Sequence, residues 1–205
     1  LSVAYLLTHV HWLWLIVAAY AFGAFVNHAL YVIMHECTHN LVFRNNNYNR
    51  ILGIFGDLAL AIPSAMAFRK YHLLHHQYLG QYDMDPDIVS KKEGRLVGNS
   101  TIKKFIWISL LSLSQALRPL KIKNVEMLDR WIISNIVIVF LFNALLIIYV
   151  GPQAFIYLVI STFFALGAHP VGGRWIQEHY DDGHGQETHS YYGPLKKVCF
   201  NMGYH

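Results

Sequence analysis

Residues 12–39 read WLWLIVAAYAFGAFVNHALYVIMHECTH, and the change of character after Met34 decides the fold. The first 23 of these residues, 12–34, contain no Asp, Glu, Lys or Arg. A hydrocarbon core of about 30 Å needs roughly 20 helical residues, so this run is long enough to cross a bilayer. Directly after it comes His35-Glu36-Cys37-Thr38-His39. Four-residue spacing places both imidazoles on one helix face, at one end of the span.

The same test applied outward finds two more runs. Residues 131–150 are WIISNIVIVFLFNALLIIYV, and residues 153–168 are QAFIYLVISTFFALGA. Gly151-Pro152 is a turn signal between them, so 131–168 reads as a helical hairpin. All 16 Lys+Arg and 12 Asp+Glu fall in 35–130 and 174–205. A hairpin crosses twice and returns those two regions to one side, and the positive-inside rule makes that side the cytoplasm. Residues 1–7 read as the tail of a further helix. Residues 51–68, interrupted by Asp57 and Pro63, and 105–117, flanked by Lys103, Lys104 and Arg118, read as helices lying in the cytoplasmic interface. Asn45-Asn46-Asn47 and 83–94 read as loops. The expected fold is an all-α integral membrane protein whose cytosolic helical cap holds a histidine-rich metal site, within one domain over 1–205.

Composition excludes the main alternatives. The 205 residues are 55% hydrophobic and 14% charged, against about 25% charged in ordinary soluble domains. Two cysteines build no disulfide framework. The net charge of +4 is not gathered into a basic stripe, so no nucleic-acid partner is expected.

Thirteen histidines are the unusual feature. A second cluster, His72-Leu73-Leu74-His75-His76, again has helical spacing. Glu178-His179 and the last residue, His205, are further candidates. His9, His11 and His184 read as ordinary polar side chains. His28, beside Asn27, is either a buried hydrogen-bonded residue or support for the His35 face. His169, before Pro170, reads as a helix end, and His189 is left unassigned. Asp83, Asp85 and Asp87 read as a solvated loop, Cys37 as a small packing residue, and Asn201 as a neighbour of His205. His35–His39 alone is H-E-x-x-H, a zinc metalloprotease pattern with Glu36 as general base. Five imidazoles in two clusters exceed the roughly three ligands of one catalytic zinc and suit two metal ions. Imidazole accepts several metals, so residue chemistry alone stops there.

H-x-x-x-H followed by H-x-x-H-H on a multi-span chain resembles the membrane fatty-acyl desaturase/hydroxylase superfamily. Within it, the chain is most similar to the sphingolipid delta-4 (dihydroceramide) desaturases. The stretches that carry the likeness are AYAFGAFVNH, HECTHN, YNRILGIFGDL, FRKYHLLHHQYLG, GAHPVGGRWIQEHY and ETHSYYGPLKKVCFNMGYH. The resemblance implies a di-iron centre held by His35, His39, His72, His75, His76, His179 and His205, with no catalytic residue beyond the ligands. It implies O2 as co-substrate, electrons from cytochrome b5 or a similar donor, and a dihydroceramide or fatty-acyl substrate. It also implies a place in the endoplasmic reticulum with the histidines facing the cytosol, or in the plasma membrane of a bacterium. A hydroxylase would use the same ligands. Family members continue after NxGYH with Asn-Glu-His-His, the rest of a third box. Leu1 at the start and His205 at the end therefore predict an inactive piece truncated at both ends.

Overall fold

The longest apolar runs become the longest helices. The computed structural model describes residues 1–117, 120, 122, 127–173, 190 and 192–202, and every regular element among them is helical. In chain order these are α1 (Ser2–Leu6), α2 (Trp12–Thr38), α3 (Asn46–Leu60), α4 (Ala65–Gln77), α5 (Lys91–Val97), α6 (Thr101–Ser109), α7 (Leu111–Leu117), α8 (Arg130–Tyr149) and α9 (Pro152–Leu166), with 3₁₀ turns at Leu7–His9 and Pro194–Lys197. The 27 residues of α2 and the 20 of α8 are each apolar and long enough to span a bilayer. Residue contacts group 1–70 with 126–165 and, separately, 71–125 with 166–205; the division falls inside the continuous helix α4.

In the first group, α2 starts at His11, whose ring Nδ1 accepts from the Leu13 amide at 3.3 Å. A π turn at Ala19–Gly23 interrupts its ladder. There a Cβ on Gly23 would fall onto Ser161 Oγ and lie 2.9 Å from the Tyr157 hydroxyl. Glycine leaves room on α2 for the Ser161 and Tyr157 side chains of α9. The α8 helix is capped by Asp129, whose Oδ1 accepts from Trp131 and Ile132 amides at 2.9 and 3.0 Å. Gly151, at φ +119°, makes the turn into Pro152, the first residue of α9. Proline suits that position because its missing N–H has no partner there in any case. The expected hairpin is present. At 15 residues α9 covers only about 22 Å.

The interfacial reading of 51–68 is corrected. That run is split between α3 and α4, which meet at a bend of 116° across Ala61–Ser64. The Arg50 guanidinium lies 5.2 Å from the Trp131 ring. Further along, Asp57 accepts from Asn135 at 2.9 Å, and the Ala61 carbonyl accepts from Asn143 at 2.9 Å. Successive residues of α3 thus meet successively later residues of α8, reaching about 20 Å along it. Then α4 returns: the Met66 amide donates to Asn135 Oδ1 at 3.1 Å, and Lys70 pairs with Asp129 at 2.8 Å. Both ends of α3–α4 lie at the same end of α8, so the pair is a re-entrant hairpin and adds no crossing. Met34, Ile54, Leu60, Ala65, Met66 and Ile132 form its buried core.

A helix break at membrane depth must have its backbone groups satisfied inside the protein. Here the last carbonyls of α3 are taken one by one. Asn27 donates to Ala59 O (3.4 Å), Thr162 to Leu60 O (2.7 Å) and Asn143 to Ala61 O (2.9 Å). The first amides of α4 are taken by Asp57, which accepts from Ser64 N (2.6 Å), Ser64 Oγ (2.7 Å) and Ala65 N (2.9 Å). The α-helical rule that four groups at each end lack partners is answered by side chains. Asp57, which from the sequence breaks an apolar run, is fully buried and holds the turn together.

Two loop readings also change. Asn45 caps α3 by accepting from the Asn47 amide, so Asn46 and Asn47 are already helical. In the second group, Ser90 caps α5, which takes 91–94 out of the expected loop. Glu93 on α5 accepts from Trp107 Nε1 on α6 at 2.7 Å. The run 105–117 is divided at Leu110 between α6 and α7.

Candidate metal centre

Two helices supply the histidines. The last turn of α2 carries His35, and His39 follows as its C-cap residue, with ring centroids 4.7 Å apart. The second half of α4 carries His72, His75 and His76. What docks α4 on α2 lies one turn earlier: Arg69 Nη1 donates to the Cys37 carbonyl (2.8 Å) and to the Thr38 carbonyl, and Nη2 donates to Asn40 Oδ1 (3.0 Å). A planar guanidinium presents five donors in a fixed fork, so it can cap several carbonyls at once with little loss of freedom. Phe68 lies against Tyr31 and His35, at 5.1 and 6.2 Å between ring centroids.

The result is a cluster. His35, His39, His72 and His76 each offer one ring nitrogen, and the four nitrogens lie within 4.8 Å of one another. His72 Nε2 and His76 Nε2 are 3.0 Å apart. Two nitrogens bound to one ion at about 2.1 Å and at right angles are about 3.0 Å apart, and trans ligands are about 4.2 Å apart. The 3.0 Å His72–His76 spacing fits two adjacent ligands of one ion, and a spread of up to 4.8 Å over the four nitrogens is wider than one ion spans. Burial holds the His39 imidazole below its ordinary pKa; Glu36 pulls it up and Arg69 pushes it down again. Neutral imidazole is the ligating form.

The remaining expected ligands fall elsewhere. His75 is buried, and its Nδ1 donates to Asp85 Oδ1 at 2.8 Å. His179 and His205 lie outside the described residues. His28 is buried in α2. His169 follows the end of α9, with its Nδ1 accepting from the Val171 amide at 3.3 Å. Cys37 is buried, in line with a packing role. Asn201 is exposed in a turn at φ +57°, and its expected neighbour His205 lies outside the described residues. Glu36 Oε1 lies 3.2 Å from His35 Nδ1, where it orients that ring.

The solvated-loop reading of the aspartates fails at Asp85, which is 4% exposed. Beyond His75, it accepts from the Asp87 amide (2.8 Å) and the Gly80 amide (3.1 Å). Burial alone pushes its carboxyl up, but the His75 and Asp87 hydrogen bonds outweigh that and leave it below the usual range. Arg69 and Asp85 are the residues that sequence reasoning missed. Arg69 sits one turn before His72, which is a helical-spacing signal; Asp85 sits ten residues after His75 in irregular chain, which offers none.

Comparison with known proteins gives the family. The fatty acid desaturase family model matches residues 11–205. Sphingolipid delta(4)-desaturase DES1 of Drosophila melanogaster is 44% identical over 196 residues, covering 95% of this chain and 60% of that protein. The DES1-like protein of Arabidopsis thaliana is 40% identical over 205 residues, 100% of this chain and 61% of the relative. Human DES1 is 38% identical over 207 residues, 100% and 64% respectively. The chain thus spans less than two thirds of the length of these relatives. No solved structure matches. With histidine clusters converging at the end of an apolar span, and a family match from residue 11 to the last residue, the chain belongs to the fatty acid desaturase family.

Proposed function

We propose that the full-length gene product is a lipid desaturase that introduces a double bond into the sphingoid chain of dihydroceramide. It consumes O2 and two electrons from cytochrome b5 or a similar donor. The observation that carries this reading is the convergence of four imidazoles from α2 and α4 at the end of a membrane span. The relatives named as sphingolipid delta(4)-desaturases supply the substrate class. Two iron ions are held by His35, His39, His72, His75, His76, His179 and His205. When bound, they supply the oxidising power to remove hydrogen from an unactivated alkyl chain, which no side chain can do.

The protein's own groups bind and orient. Arg69 fixes α4 against α2, so the second histidine box (box two, His72–His76) stays in register with the first (box one, His35–His39). Glu36 orients the His35 ring. The re-entrant hairpin carries His72, His75 and His76 out of the apolar layer on a rigid helix. The helices outside the spans form a cap on the cytosolic face of the endoplasmic reticulum, and the lipid chain enters from the bilayer. The cluster argues against a protease. A catalytic zinc needs about three ligands and an open position, whereas His72 and His76 crowd the His35–His39 pair.

The test uses microsomes containing the full-length product, dihydroceramide, O2 and reduced cytochrome b5. Ceramide with a new double bond is expected, and His35→Ala or His72→Ala should abolish it. Glu36→Gln should weaken it by about 10–100-fold, the usual effect of losing a ligand's hydrogen-bond partner. A hydroxylated product would move the reading to a hydroxylase. Peptide hydrolysis that Glu36→Gln eliminates would move it to a metalloprotease, because that residue would then be the general base.

A further inference from the structure

His75 differs from its neighbours in box two. The residue is 2% exposed, and its Nδ1 faces a carboxylate instead of another imidazole. The segment after α4 is wound around that carboxylate. Asp85 Oδ1 accepts from His75 Nδ1 and from the Asp87 amide, both at 2.8 Å, and Oδ2 accepts from the Gly80 amide at 3.1 Å. A carboxylate that already takes two backbone donors acts toward the ring as an acceptor, so the shared proton sits on His75 Nδ1. In a neutral imidazole this leaves the lone pair on Nε2. Ligating histidines commonly use this device: a carboxylate on one nitrogen fixes the tautomer and ring orientation and raises the basicity of the other.

We propose that Asp85 is a positioning residue of the metal centre, holding His75 as the Nδ1–H tautomer so that Nε2 is its ligating atom. The inference rests on the di-iron reading of box two. It adds a residue from outside all three boxes and assigns the ligating nitrogen of one ligand. It also explains the winding of the loop 78–90, in which Gly80 and Asp87 hold the carboxylate and the carboxylate holds the ring.

The experiment measures iron affinity of the full-length protein in detergent, by competition with a chelator, for wild type, Asp85→Asn, His75→Ala and the double variant. Asparagine keeps the size and an acceptor oxygen but loses the charge. Asp85→Asn is expected to lower iron affinity by about 10–100-fold. In the His75→Ala background it should change nothing further, because the cycle isolates an effect transmitted through His75. An equal loss in both backgrounds would make Asp85 a loop residue only and overturn the inference. A second readout is the Mössbauer spectrum at saturating iron. One iron of Asp85→Asn should show an altered quadrupole splitting, and a spectrum identical to wild type overturns the proposal even where His75→Ala holds too little iron for the cycle. A wild-type protein that binds no iron refutes the di-iron reading itself. A wild type that binds iron, with Asp85→Asn unchanged in both readouts, refutes only the role of Asp85.

Discussion

Replacing Asn135 by Leu sets hydropathy against hydrogen bonding. Asn135 lies five residues into α8 and is 1% exposed. On hydropathy alone, leucine in a membrane span is an improvement. The structure predicts the opposite. Asn135 Oδ1 takes the Met66 amide at 3.1 Å, and Nδ2 donates to Asp57 Oδ2 at 2.9 Å. Leucine leaves a helix-start N–H without its acceptor and removes one donor from a buried carboxylate. A buried donor left unsatisfied costs about 1–3 kcal/mol, and a hydrogen bond to a charged group contributes about 1.5–3 kcal/mol. Side-chain hydrogen bonds within membranes average only about 0.6 kcal/mol, because the unfolded chain also finds partners. Added apolar surface returns part of the loss. Together these place the destabilisation at about 2–4 kcal/mol. The assay is unfolding of the full-length product in mixed micelles by SDS titration. Ser134→Leu is the control, since Ser134 is exposed and, among the described residues, its hydroxyl donates within its own helix, to Arg130 O. A shift under about 0.5 kcal/mol for Asn135→Leu, or a stabilisation, would refute the account of the re-entrant turn.

Gly23→Ala should destabilise the same protein by about 1–3 kcal/mol, the usual effect of overpacking, and Ser161→Gly should restore part of it by clearing the nearer clash; SDS titration of the single and double variants checks this. Asp129, at the start of α8, has its carboxyl held below the usual range because hydrogen bonds from Lys70 and the Ile132 amide outweigh its desolvation. Its contribution is therefore present above about pH 3.9 and is lost as pH falls through its lower folded value. With the side chain 30% exposed, the Lys70 pair is worth under about 1 kcal/mol, and Asp129→Asn should flatten the acid limb of a stability–pH curve between about pH 5 and 2 without moving the neutral plateau by more than that; an unchanged acid limb counts against the pair.

The spans were legible because charge is absent from 12–34 and 131–173, and absence of charge over 20 residues has few other meanings. The clustering of His35, His39, His72 and His76 was legible because spacings of four survive in any helix. The re-entrant hairpin was not. Its sequence, 51–68, carries Asp57 and Pro63, and hydropathy treats both as breaks. The role of Asp57 emerges only with Asn135 and Ser64 in place. The complementary signal, Asn27, Asn135, Asn143 and Thr162 inside apolar runs, reads from the sequence as scattered tolerance. Each of these residues answers a backbone or carboxylate group distant in the chain. Asp85 was lost for a related reason: alternating aspartates in a Gly/Pro-containing stretch look solvated, and nothing in the spacing reveals that the chain winds back on the middle one.

The side-chain caps on α3 also impose an order on biogenesis. Thr162 and Asn143 are synthesised 102 and 82 residues after the carbonyls they satisfy. Until α8 and α9 leave the translocon, the carbonyls of Leu60 and Ala61 have no donor but water. The nascent α3–α4 segment is therefore expected to keep to the wet membrane surface until the last hairpin arrives. Box two is attached to that segment. Its His72 and His76 are therefore expected to settle beside His35 and His39 only after the chain has been made through residue 162.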